Sequence, residues 1–244
     1  MFLSRLFLAV NVAEKILSSL AVPVFSPGLT VAHLHSSHGA DLTARDAEPI
    51  PVATLTLENK FGADLLLTFV GAKNQQITYI GPSVINHPYE SSSTLLAGET
   101  TSYQLPEGWN GNINVGHSYN DANTLIEGNI ANGYLDLDIS YVQGYSASIV
   151  CWCNGNQQVI HGCNEHLFAH NACPDQVSEG VCMNPIRDSA ATQASTFFKP
   201  CENAAFTFPD DAKSNPGHDC FPGNDLTCCI GGPGNPCPRN PVQG

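Results

Sequence analysis

Between residues 52 and 150 apolar residues alternate with polar ones or fill short runs. Segments 52–57, 65–70, 77–80, 100–105, 112–115 and 134–141 each carry this pattern, and Gly, Pro, Asn and Asp punctuate the intervals between them. Side chains alternate between the two faces of a strand, so a period of two with β-branched and aromatic residues predicts the strands of a sandwich. Helix-period signal is weak throughout this half. Between residues 151 and 200 the pattern collapses, and Cys, His, Asn, Gly and Gln dominate. One short helix is predicted around 187–197. A stretch this polar buries little and needs covalent staples to hold a shape. Two returning strands follow at 205–208 and 225–230, and residues 232–244 read as a Gly/Pro tail. The expected fold class is all-β.

Composition narrows the function classes. The 244 residues carry nine Lys and Arg against 22 Asp and Glu, a formal charge of -13 at neutral pH. Such a chain repels phosphate backbones and anionic bilayers, which excludes nucleic acid as an expected partner. Only 13% of residues are charged, while Gly and Pro are plentiful, a balance suited to turns and short strands. There is no internal repeat.

The cysteines point to an oxidising compartment. All ten lie from Cys151 onward, and an even count in one region reads as disulfides. The chain start agrees with secretion: Arg5 precedes an apolar run at 6–10, and a second apolar stretch covers 16–32. Charges, Pro23 and Pro27 keep both runs below the roughly 18 apolar residues of a membrane span. Cleavage after Ala13 and cleavage after Ala32 both fit. Residues 1–45 are expected to be leader and pro-segment, with the folded domain over 51–231. No Asn-x-Ser/Thr triplet occurs, so no N-glycan is expected.

Several segments together resemble a known family. Leu105-Pro106-Glu107-Gly108-Trp109-Asn110-Gly111-Asn112-Ile113 is similar to the L-P-x-G-W-x-G-x-I turn and strand of thaumatin-like proteins. Ala53-Thr54-Leu55 through Asn59 is similar to the family's opening A-T-F-x-I-x-N strand, and Thr124-Leu125-Ile126-Glu127 to its T-L-A-E. Asp138-Ile139-Ser140-Tyr141-Val142-Gln143-Gly144-Tyr145 is similar to D-x-S-x-V-D-G-F, and Phe197-Phe198-Lys199-Pro200-Cys201 to F-F-K-x-x-C. Ala205-Phe206-Thr207-Phe208-Pro209-Asp210-Asp211, then Cys220 and Cys228-Cys229, complete the order.

The resemblance implies a β-sandwich (51–149 and 201–231) with an adjoining disulfide-rich loop region (150–200) and an acidic cleft between them. It also implies that Cys201 and Cys220 bridge back to cysteines among Cys151, Cys153 and Cys163. Cys173, Cys182, Cys228, Cys229 and Cys237 are expected in disulfides without assigned partners. The chain departs from the family as well. It has fewer cysteines, and it lacks both the G-x-x-x-C-x-T-G-D-C segment and a cysteine near Phe61. The family's cleft Arg falls on Gly116 and its V-D-G-F Asp on Gln143.

Glycoside hydrolysis needs two carboxyls, one protonated as acid and one ionised as nucleophile or base. By resemblance Glu127 and Asp138 line the cleft and are the candidate pair, with Glu127 expected in the acid role. Asp210 or Asp211 matches a further cleft acid, and Gln143 occupies a cleft position. Strand alternation places Asp136 on the face of Asp138. Trp109 and Tyr145 are candidate sugar-stacking rings, with core packing as the competing assignment.

Other chemistries find less support. Cys151, Cys153, His161, Cys163 and His166 are zinc-type residues, but their spacing matches no pair of ligand knuckles. A His33 exposed by cleavage lacks a recognisable partner for copper. No metal or cofactor is expected. No Gly-x-Ser-x-Gly elbow or phosphate-binding loop occurs. The expected function is that of a secreted, monomeric thaumatin-like protein binding cell-wall β-1,3-glucan or another wall polysaccharide, with or without weak glucanase activity. The competing expectation is a non-enzymatic wall antigen, adhesin or effector that engages a host surface protein. A protein-binding inhibitor module using the Cys-rich loops is the other.

Overall fold

A computed structural model of the chain describes residues 51–72, 81, 84–87, 90–214, 220 and 223–243. The leader and the strand expected at 77–80 lie outside these residues. The strands are β1 (Pro51–Lys60), β2 (Leu65–Gly71), β3 (Ile85–His87), β4 (Glu90–Leu95), β5 (Thr100–Pro106), β6 (Asn110–Gly116) and β7 (Thr124–Ala131). They continue as β8 (Tyr134–Ser140), β9 (Gly144–Tyr145), β10 (Ser148–Cys153), β11 (Val159–Cys163), β12 (Gln176–Ser178), β13 (Val181–Met183) and β14 (Asp225–Gly231). Short 3-10 turns cover Leu167–Ala169, Lys199–Cys201 and Ala212–Ser214. The protein is all-β.

One sheet has the order β11-β10-β14-β1-β5 and the other β3-β4-β2-β6-β7-β8, with a small third sheet β12-β13-β9. In the first, β1 and β14 run parallel and pair Leu55 with Leu226 and Leu57 with Cys228. Alternate residues of both large sheets enter one apolar cluster, including Leu55, Leu57 and Tyr103 from one and Phe69, Ile113, Ile126 and Ile139 from the other. The rings of Phe69 and Tyr103 meet between the sheets at 5.2 Å. Each such side chain, fully buried, contributes roughly 1.5–3 kcal/mol of transfer free energy.

All ten cysteines are paired, as Cys151–Cys228, Cys153–Cys220, Cys163–Cys201, Cys173–Cys182 and Cys229–Cys237. Among the described residues no helix is long and apolar enough to cross a membrane.

The structure corrects several expectations. Residues 187–197 form no helix: Asn184 accepts from Ile186 N through Oδ1 and donates to the Tyr141 and Thr207 carbonyls, holding the chain in turns. Residues 205–208 are not a strand, since Phe206 makes a single bridge to Ser140. The expected loop region begins later than residue 150, because β10 and β11 belong to the five-stranded sheet. Residues 232–243 are fastened by Cys229–Cys237 and by Asn240, whose amide donates to Gly162 O at 2.8 Å. Ser-rich β4, which the alternation did not flag, buries Ser91 and Ser93.

Candidate functional site

The site is built on the β7–β8 hairpin. Asn132 and Gly133 have φ of 55° and 78°, the two left-handed residues that a tight type I′ turn requires. Glu107 braces the turn, its carboxylate accepting from Asn132 N at 2.7 Å and Gly133 N at 3.1 Å, and the Asn224 amide donates to Gly133 O. The turn fixes the register: Ala131 opposes Tyr134, Asn129 opposes Asp136 and Glu127 opposes Asp138.

β8 is an edge strand, and the outward backbone groups of its Ile139 are taken up by side elements. Ile139 N donates to His161 Nδ1 at 2.7 Å, and Phe206 N donates to Ile139 O at 2.9 Å. Ile139 therefore turns both its polar groups away from β7, so the adjacent Glu127–Asp138 pair is the hydrogen-bonded kind, with Cα atoms about 5.5 Å apart. His161 Nε2 donates to Ser214 O, and burial pushes its pKa down to about 4, so it serves as a neutral brace.

Leu135, Leu137 and Ile139 point into the core, leaving Tyr134, Asp136 and Asp138 on the outer face of β8. Asn112 stands in register with Glu127, and Asn110 with Asn129. Two carboxyls thus stand side by side, partly exposed, in a field of amides. Burial raises the Glu127 pKa, and a hydrogen bond from the Ser140 hydroxyl offsets part of that. Asp138 is raised well above the usual aspartate range by burial, then by the charges of Glu127 and Asp136. Its Oδ1 is buried with no hydrogen-bond partner. Neither group owes its shift to a cation. Both carboxyls of the pair are therefore pushed up from their ordinary ranges.

The remaining candidates are dispersed. Trp109 is fully buried, packed beneath Gly128, and Tyr145 is fully buried against Tyr141, Phe168 and Phe197. Neither ring has a face open to a sugar, and core packing is the assignment that holds. Asp211 is buried and accepts from Thr207 N and Oγ1, a local structural bond. Asp210 is exposed on the neighbouring turn, and Gln143 is half-buried with its carbonyl accepting from Asn184 N. A Cβ on Gly116 would stand 2.3 Å from Asn123 Nδ2, so Asn123 fills the space a larger side chain would take. The sulfurs of Cys151, Cys153 and Cys163 are committed to disulfides.

Sequence reasoning missed Asn110, Asn112, Asn129, Ser140 and Tyr134 as parts of this face. The signal was available in Asn132-Gly133, flanked by alternating apolar residues, which is a strong hairpin signature. Surface depressions lined by Glu58, Lys60 and Glu99, and by Leu66, Ile85 and Thr94, lie away from the pair. In comparisons with known proteins, no family model matches the chain and no curated protein matches it.

Proposed function

We propose that this chain is a secreted, divergent thaumatin-like protein that binds cell-wall β-1,3-glucan on the outer face of β6–β8 and hydrolyses it slowly at Glu127 and Asp138. The observation that carries the reading is the direct opposition of these two carboxyls, one of them with a buried, unpartnered oxygen. A neutral polysaccharide offers hydroxyls and no charge, and amides beside carboxyls both donate to and accept from hydroxyls. The pairs Cys153–Cys220 and Cys163–Cys201 support the family reading, since the resemblance implies bridges of that kind.

In this reading Asp138 keeps its proton and delivers it to the glycosidic oxygen as the bond to the anomeric carbon breaks. Glu127, held by Ser140, is the ionised partner that attacks that carbon. Water, deprotonated by Asp138, then releases the sugar and restores both groups. A carboxylate that attacks the anomeric carbon directly belongs to the retaining mechanism. The cation and acid lost at Gly116 and Gln143 keep the rate low.

The test incubates the oxidised protein with insoluble β-1,3-glucan and scores both pull-down and released oligosaccharide. Release by the wild type that disappears in Glu127→Gln and Asp138→Asn, with pull-down retained, supports the full reading. Pull-down without release supports a non-enzymatic wall protein, the reading that the filled space at Gly116 favours. Neither pull-down nor release rejects glucan.

A further inference from the structure

Tyr134 lies on the same outer face of β8 as Asp136 and Asp138, two and four residues away, and it is 49% exposed. This sets it apart from the rings first considered for sugar contact, which are both fully buried. Four residues of antiparallel strand separate it from Asp138 by about 13 Å, a span longer than one sugar ring. Its cross-strand neighbour is Ala131. Between the two ends stands the exposed Asn129–Asp136 pair. The backbone beneath the ring is stiff, because Tyr134 directly follows the turn braced by Glu107 and Asn224.

An aromatic face offers the apolar side of a pyranose a partner that amides and carboxyls cannot supply. A row running from aromatic to amide and carboxyl to a buried acid therefore matches an extended neutral glycan lying along one strand.

We propose that Tyr134 is the stacking platform of a remote sugar subsite, and that a glycan chain runs along β8 from Tyr134 to the Glu127–Asp138 pair. The inference rests on the glucan-binding reading and adds to it a direction, a minimum chain length and a specificity residue. Binding strengthens once the chain is long enough to reach Tyr134, so a disaccharide that occupies the acid pair gains nothing from the ring.

The experiment measures the affinity of the oxidised full chain for β-1,3-linked gluco-oligosaccharides of increasing length, using wild type, Tyr134→Phe and Tyr134→Ala. The expected result is a gain in affinity with length for wild type and Tyr134→Phe. Tyr134→Ala loses that gain, binding the longer oligosaccharides roughly fivefold to tenfold more weakly while binding a disaccharide as wild type does. Equal affinity of wild type and Tyr134→Ala at every length overturns the subsite and leaves the glucan reading standing. Failure of the wild type to bind any length overturns both. Matching thermal unfolding of the three proteins ensures that the comparison reads the side chain alone.

Discussion

Glu127 and Asp138 face each other across β7 and β8 because the two-residue turn at Asn132 and Gly133 places them at equal distances from its ends. The acid pair is thus a consequence of turn chemistry as much as of the acids themselves. A one-residue slip in this hairpin would move Asp138 to the core face and separate the pair.

Gly133→Ala tests that dependence. Nothing crowds the position, but its φ of +78° is one that a β-carbon disfavours. The substitution is expected to cost about 1–2 kcal/mol, measured by denaturant unfolding. Glucan binding should weaken if the hairpin slips. Unchanged stability would mean that the turn does not set the register.

The pH dependence of stability has two opposed limbs. A raised carboxyl means that the native state binds its proton more tightly than the unfolded chain does. The contribution of Asp138 is therefore fully present below the ordinary aspartate range and is lost as pH rises through the raised value. His161, pushed down to about 4, works the other way: its contribution is present above the ordinary histidine value and is lost as pH falls toward 4. Asp138→Asn should exceed wild type in stability by on the order of 1 kcal/mol at neutral pH, with the advantage fading in acid. Parallel stability profiles for the two proteins would remove the buried proton from the description.

Gly116 marks where the resemblance to thaumatin-like proteins breaks down physically. Asn123 lies against it, fully buried, donating to Asn114 Oδ1 at 2.8 Å and Ser118 O at 2.8 Å. Gly116→Arg is expected to destabilise the protein by about 1–3 kcal/mol through overpacking and to leave glucan hydrolysis no faster. A stable variant with increased turnover would show that the position still belongs to the site.

Mild reduction should separate the layers. Cys163–Cys201 and Cys173–Cys182 hold the segment between β11 and Cys201, which has few strands of its own. Hydrogen exchange under reductant is expected to lose protection over 164–200 first, while β10 and β11 stay protected with the five-stranded sheet. Simultaneous loss in both regions would contradict this. Removing Cys163–Cys201 by paired Ala substitutions should cost roughly 2–5 kcal/mol.

Much of the sandwich was legible in the sequence because its strands alternate or form short apolar runs between turn residues. Tyr134 to Ser140 carries its faces in its residue types, Leu65 to Val70 is a short apolar run, and both lie within observed strands. β4 was hidden because serines occupy its buried positions, and β10 and β11 because cysteines masked a strand pattern as a loop. Glu127 and Asp138 were visible as residues, but their opposition depended on a turn. The raised pKa of both carboxyls was not legible, since it depends on burial and on a neighbouring Asp136 that only the assembled sheet creates. Trp109 was ambiguous for a related reason, because a turn sequence does not say which face covers its ring.

The most direct measurement is a carbon-detected NMR titration of the Glu127 and Asp138 carboxyls, with and without a soluble β-1,3-gluco-oligosaccharide. The expected result is that Asp138 releases its proton at higher pH than Glu127, that both titrate above their ordinary ranges, and that both carboxyl carbons shift when sugar is added. Ordinary titration of both groups, with neither responding to sugar, would contradict the pair as the glucan site.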